Sequence, residues 1–205
     1  MKEQGCSTLE RIHSAAQAEF LEKGYQAASL RNIVKNAGVT TGAFYGYYGS
    51  KEELFSALVD EHYKYIVSKY RESLDGFQSL PSEKQPERME YTGKEFMQEM
   101  FLYMSRHKEA FRLILTCSDG TAYASLIDDL VALEVEATEK YCRVLKSLGR
   151  TVPEIDERLE HILVTGMMNA YFEIIIHDMP DENVAQYLQE LNDFYTAGWL
   201  KIMGQ

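Results

Sequence analysis

Apolar residues recur along this chain at helical spacing, and nowhere do they settle into the sustained alternation that a half-buried strand requires. Leu9, Ile12, Ala16 and Phe20 form a first stripe, preceded by the capping-box pair Ser7 and Glu10 and ending near Gly24. Leu30, Ile33, Val34 and Ala37 form a second, opened by Ser29, whose hydroxyl can cap a helix start, and stopped by Gly38. Val39 can plug the corner that follows, and Thr40 or Thr41 can cap a third helix. There Phe44 and Tyr48, four apart, share an inward face, while Thr41, Ala43, Tyr45 and Tyr47 fall on the other side. Ser50 and Glu53 form another capping box and open a long fourth helix through Leu54, Phe55, Leu58, Tyr63, Ile66, Val67 and Tyr70. Residues 75–91 contain two prolines and scattered charge and read as a loop. Further helices are predicted over 92–106, 108–115, 122–148, 154–176 and 182–202, with Pro180 and Asp181 turning the chain between the last two. The pattern predicts an all-α protein.

Composition narrows the class. With 205 residues, 45% of them apolar, the chain can bury a core. No apolar run in the sequence approaches the ~18 residues of a membrane span, and the start MKEQGCSTLE has no apolar signal region, so a cytoplasmic protein with no membrane partner is expected. Cys6, Cys117 and Cys142 are widely spaced and odd in number, which predicts free thiols and gives neither a disulfide framework nor a metal pattern. The net charge of -11 is unevenly divided. Residues 1–71 hold nine Lys or Arg against eight Asp or Glu, net +1, and residues 72–205 hold twelve against twenty-four, net -12. No acid falls between Glu22 and Glu52, whereas Lys23, Arg31, Lys35 and Lys51 all do. Such a local basic window in an acidic chain orients one end toward phosphate.

Residues 29–51, SLRNIVKNAGVTTGAFYGYYGSK, therefore read as two short helices around a glycine turn that present hydroxyls, aromatics and a lysine outward. Residues 9–59 resemble the N-terminal domain of the tetracycline-repressor (TetR) family of bacterial transcription regulators. The run AGVTTGAFYGYYGSKEEL keeps that family's order of turn glycine, small hydroxyl residues, glycine, apolar residue, tyrosine, aromatic pair and Ser-Lys-Glu. Gly46 and Gly49 depart from the pattern, standing where the family often has a larger polar residue. The resemblance implies a three-helix helix-turn-helix DNA-binding head over 1–50, with the motif itself at about 29–48. A connecting helix over 51–74 and a larger ligand-binding and dimerisation body over 75–205 would follow. It also implies the roles. Thr41, Ala43 and Arg31 would touch base edges, Arg31 being suited to bidentate contact with guanine. Thr40, Tyr45, Tyr47 and Lys51 would fix register on phosphates, and Gly42 would let the backbone approach the sugar-phosphate strand.

Seven of the nine methionines fall in the body: Met89, Met97, Met100, Met104, Met167, Met168 and Met179, among many aromatics. A Met and aromatic stripe at helical spacing is plain core on the residues alone, but thioethers and tyrosines also line adaptable cavities. The resemblance implies an inducer cavity, with Phe96, Met100, Met104, Phe111, Tyr123, Tyr141, Met168 and Phe172 as candidate lining. Two stripes on the last two helices have a different character: Ile162, Gly166, Ala170 and Ile174 on one, Leu188, Leu191, Tyr195, Gly198 and Ile202 on the other. Small residues among aliphatics suit either an intramolecular hairpin or a four-helix contact between two copies. The resemblance favours the homodimer.

Rival functions find little support. His13, His62, His107, His161 and His177 lack metal-ligand spacing, and no nucleophile elbow or phosphate loop is present, so no enzyme, cofactor or metal is expected. A helical adaptor that has lost operator binding would be expected to lose Tyr45, Tyr47 or Lys51, and all three are there. An activator on the same scaffold stays open. The resulting expectation is a homodimeric repressor that reads a near-palindromic duplex operator and leaves it when a small apolar or amphipathic inducer enters the body.

Overall fold

The computed structural model describes residues 7–177, 179 and 181–205, apart from the side chains of Glu90 and Asp181. Cys6 and Pro180 lie outside the described residues, and with them one expected thiol and the expected proline turn. Among the described residues there are nine α-helices, two 3₁₀ turns and no strand. The helices are α1 (Thr8–Ala27), α2 (Leu30–Asn36), α3 (Thr41–Tyr45), α4 (Lys51–Gln78), α5 (Gln85–Arg106), α6 (Lys108–Cys117), α7 (Leu126–Ser147), α8 (Glu157–Ile176) and α9 (Asp181–Ile202).

The local signals act as the sequence indicates. Ser7 and Glu10 form a complete capping box on α1. Gly24, at φ 73°, breaks that helix before its last turn. Ser29 caps α2 by accepting from the Asn32 N–H at 3.4 Å, and Gly38, at φ 64°, ends the segment in the left-handed conformation that glycine adopts without steric penalty. Other boundaries differ. The stretch 75–91 is mostly helical, because α4 continues to Gln78 and α5 begins at Gln85. Pro86 lies in the first turn of α5, where no intrahelical N–H bond is lost. The buried Gln85 side chain donates to the carbonyls of Gln78 (3.3 Å) and Leu80 (3.0 Å), closing the end of α4. Similarly, α8 starts at Glu157 behind the Asp156 cap, and the third helix ends at Tyr45, leaving Tyr47 in the turn beyond it.

Two compact units result: residues 1–64 with 107–124, and residues 65–106 with 125–205. In the first, which contains the head, Ile12, Phe20, Ile33, Phe44, Leu54, Phe55 and Phe111 are fully buried. Its α6 packs along α1, so this helix, expected in the body, belongs to the head's core. In the second unit α8 packs against α7 and α9. An 18-residue window of α8 reaches a mean hydropathy of 1.2, long and apolar enough by composition to cross a membrane, against the expectation from sequence. Val164, Met168, Tyr171, Phe172 and Ile175 on this helix are buried, whereas Leu159 and Ile162 are exposed. Its high hydropathy thus comes from apolar groups on two faces.

Candidate nucleic-acid interface and body cavity

The turn between α2 and α3 is set by short-range chemistry. The Thr40 hydroxyl accepts from the Ala43 N–H at 3.1 Å, which resolves the choice of cap in its favour and leaves Thr41 exposed on the first turn of α3. Phe44 is buried, and Tyr48 is half-buried with its hydroxyl 2.5 Å from His13 Nε2. Burial lowers the His13 pKa and raises that of Tyr48. Opposite them Arg31, Thr41, Gly42, Ala43, Tyr45 and Tyr47 are all exposed, Tyr45 by 55% and Tyr47 by 49%. A Cβ added to Gly42 would meet nothing within 4 Å, so no internal contact requires glycine there. The surface thus combines hydroxyls and rings on a five-residue helix and the turn after it with one guanidinium on α2, the short helix being held from beneath by Phe44. A segment that short has no independent stability, and its geometry depends on the core below it.

Two residues adjust the basic window. Lys51 Nζ donates to the carbonyl oxygens of Tyr25 (2.6 Å), Ala28 (3.0 Å) and Gln26 (3.1 Å), and it lies 4.6 Å from the centre of the Tyr25 ring. All three ammonium protons are directed at the carbonyls that the break at Gly24 exposes, a cation at the negative end of α1. Lys51, expected on phosphate, is placed here as a staple between α4 and the end of α1. Lys23 pairs with Glu22 at 2.6 Å on the surface. Arg31 and Lys35, exposed on α2, are what the window presents outward.

Sequence reading missed Glu19. Its carboxylate is buried and accepts from the Ser29 N–H (2.9 Å) and the Asn32 side-chain amide (3.3 Å), fixing the start of α2 from the side of α1. The fold also brings His62 and His107 together, ring centres 4.4 Å apart, although 45 positions separate them in the chain. Burial and the neighbouring His107 lower the His62 pKa. Among the described residues no cluster of three or more His, Cys, Asp or Glu could hold a metal ion. Cys117 and Cys142 are free thiols, the first buried.

In the second unit a cavity of about 160 Å³ is lined from α4, α5, α7, α8 and α9. Of the candidate lining residues, Phe96, Tyr141 and Met168 face it. Met100, Met104 and Phe172 line a smaller apolar pocket of about 20 Å³, which shares Phe96, Met168 and Tyr171 with the cavity. Phe111 and Tyr123 do not belong to either. Phe111 is fully buried in the first unit with its ring 6.0 Å from that of His62, and Tyr123 donates to Asp60 at 3.1 Å within the same unit. An amphipathic stripe shows that a face is buried but not against what, hence the misplacement. The cavity adds polar groups that were not anticipated. Tyr70 donates its hydroxyl to Glu134 at 2.5 Å, and burial raises the pKa of both. Asn192 is buried, and its side-chain amide nitrogen has no partner among the described residues. Trp199, the chain's single tryptophan, lines the same space.

The expected dimer stripes divide between two environments. Ile174 and Leu188 are buried together with Tyr171 and Val184 inside the α8–α9 hairpin, with Leu191 and Tyr195 packed against them. The Tyr195 hydroxyl donates to the Gly166 carbonyl at 3.1 Å. Ile174, Leu188 and Tyr195 are therefore committed within the chain. Ile162 (64% exposed), Gly166 and Gly198 are exposed, Ala170 and Ile202 half-buried. A Cβ on either glycine would meet nothing within 4 Å. Phe194, 70% exposed, was missed, although it falls on the same helical stripe as Leu191 and Gly198.

The family description "Bacterial regulatory proteins, tetR family" matches residues 12–58. The uncharacterised HTH-type transcriptional regulator YdgC of Bacillus subtilis is 39% identical over 74 residues, 36% of this chain and 37% of that protein. The uncharacterised HTH-type regulator YvdT of the same organism is 30% identical over 123 residues, 60% of this chain and 57% of its own length. Each match spans less than two thirds of the relative. A solved TetR-family regulator from Mesorhizobium loti shares the fold with a TM-score of 0.53 at 16% identity, covering 96% of this chain and 98% of that one.

Proposed function

From a chain that belongs to the TetR family of bacterial helix-turn-helix transcriptional regulators through residues 12–58, we propose a cytoplasmic, homodimeric, ligand-responsive repressor of a near-palindromic operator. The observation that carries the DNA-reading part is the face of Arg31, Thr41, Gly42, Ala43, Tyr45 and Tyr47, exposed together over a buried Phe44. Two hydroxyl-bearing rings and a guanidinium on one surface are poor candidates for solvent-facing filler and good ones for phosphates and base edges. Thr40 contributes its hydroxyl at the rim of the same face while capping α3. The cavity in the second unit supports the ligand response, and the outward apolar residues of α8 and α9 support the dimer. Occupation of the cavity would favour a state with lower operator affinity, which requires the ligand to bind that state more tightly. Selection from a random duplex pool, without added ligand, tests the reading: enrichment of a two-fold-related pair of half-sites supports it, and enrichment of no palindrome defeats it.

A further inference from the structure

Glu134 is the feature of the cavity that plain packing does not explain. Its carboxylate receives one hydrogen bond, from Tyr70, and among the described residues no cation is paired with it. Glu134 is half-buried in the cavity wall, and a carboxylate partly withdrawn from water without a counter-charge carries a desolvation cost that a bound cation would offset. Around it the wall is aromatic: Tyr70, Phe77, Phe96, Tyr141, Tyr171 and Trp199. Ring faces and a carboxylate together attract a positive centre, the rings through their quadrupole and Glu134 through its charge. An anionic occupant would instead meet Glu134 as a like charge.

We propose that the cavity takes an organic cation, an amine or quaternary ammonium of about monocyclic size, with its charged nitrogen against Glu134 and its apolar part among the rings and methionines. This assignment rests on the ligand-responsive reading above and specifies its ligand class. The size follows from the volume: about 160 Å³ is close to that of an engineered apolar cavity, about 150 Å³, which holds benzene. Asn192, whose amide N–H has no acceptor among the described residues, lines the same space and would pair with an oxygen on the same molecule. A purely apolar ligand would leave the Glu134 charge without a cation, and one without an oxygen would leave the Asn192 N–H unpaired.

Trp199 reports on occupancy, since it lines the cavity and is the chain's single tryptophan. The intact chain is titrated, by tryptophan fluorescence, with benzyltrimethylammonium, with its uncharged isostere neopentylbenzene, and with the anion 3-phenylpropionate. The ammonium is expected to bind at least about tenfold more tightly than the isostere, the scale of one desolvated cation contact. Glu134→Gln, which retains an acceptor for Tyr70, is expected to erase that preference, chiefly by weakening benzyltrimethylammonium binding. The comparison of probes on the unaltered chain needs no variant and stands even if Glu134→Gln fails to fold. Equal or tighter binding of neopentylbenzene or of 3-phenylpropionate overturns the cation assignment and leaves a ligand-binding body for a neutral or acidic molecule. No binding of any probe overturns it as well, while the duplex selection tests the DNA-reading part independently.

Discussion

Replacing Lys51 by methionine separates two roles that its position at the start of α4 leaves in competition. The ammonium donates to three carbonyls at 2.6, 3.0 and 3.1 Å, two of these bonds half-buried and the one to Gln26 exposed. A hydrogen bond to a charged group contributes about 1.5–3 kcal/mol, and the exposed carbonyl regains water when the lysine is gone. The methionine stem keeps the packing but loses the contact with the Tyr25 ring. Relief of lysine desolvation offsets part of the loss, so the variant should be about 2–3 kcal/mol less stable, a fall in melting temperature of about 4–12 °C. Operator binding at a temperature where the variant is folded should keep its dependence on salt. A phosphate contact behaves oppositely: its removal leaves the melt alone and reduces the slope of log K against log salt by about 0.9. Arginine sharpens the contrast, since a planar fork cannot point three protons at three converging carbonyls, whereas it binds phosphate well. Circular-dichroism melts and salt-titrated anisotropy of the three proteins measure both quantities. An unchanged melt with a slope reduced by about one, restored by Lys51→Arg, would refute the staple.

Three further outcomes are expected. Because burial raises the folded-state pKa of Glu134, the folded chain holds a proton that the unfolded chain has released, and stability falls as pH rises from the usual glutamate range through that raised pKa. Glu134→Gln should therefore be more stable than the parent at pH 7–8, with the gap closing toward pH 4 in urea titrations; an equal gap at both pH values contradicts this. Phe194→Asp, at a residue 70% exposed, should leave the melt of the single chain nearly unchanged but yield monomers in sedimentation at micromolar concentration, and a persistent dimer removes the outer face of α9 from the interface. A Cβ from Gly42→Ala meets nothing within 4 Å beyond its own helix among the described residues and should stabilise α3 by up to about 1 kcal/mol while weakening operator binding. Undiminished binding would mean that no DNA backbone approaches there.

What the sequence made legible is what local chemistry decides. Ser7, Ser29 and Ser50 cap helices because a hydroxyl can reach an N–H three residues on without help from the rest of the chain. Gly24 and Gly38 end segments because of their own backbone freedom. The inward and outward faces of α3 followed from spacing alone. Lys51 and Glu19 were not legible in their roles, since each acts on backbone 10 to 26 residues away, and nothing in a stretch of sequence marks which carbonyl a long side chain will reach. The same gap explains α6: its apolar stripe is plain, but only the fold assigns it to α1. A strict reading of proline lost the first turn of α5, where Pro86 is permitted. Glu134 was passed over because one acid among twenty-four in residues 72–205 has no distinguishing pattern until the helices enclose it.

The composition of α8 connects two of the proposed properties. A helix apolar on one face needs one partner, and α8 is apolar on two. Its inner face contributes Met167, Met168 and Tyr171 to the cavity wall, while Leu159, Ile162 and Gly166 remain exposed on the same twenty residues. A packed helix moves as a rod, because interiors at crystal-like density do not absorb displacement locally. An occupant that crowds Met168 and Tyr171 would therefore be felt at Ile162 and Gly166 without any dedicated relay. If that outer face seats a second copy, ligand affinity and dimer geometry are linked through one element, and linkage is reciprocal: whatever the ligand does to the dimer contact, dimerisation does to ligand affinity by the same factor. Comparing benzyltrimethylammonium affinity in the parent dimer and in the Phe194→Asp monomer measures that factor. Equal affinities would make α8 a shared wall with no coupling through it, and unequal ones would make it the transmitting element.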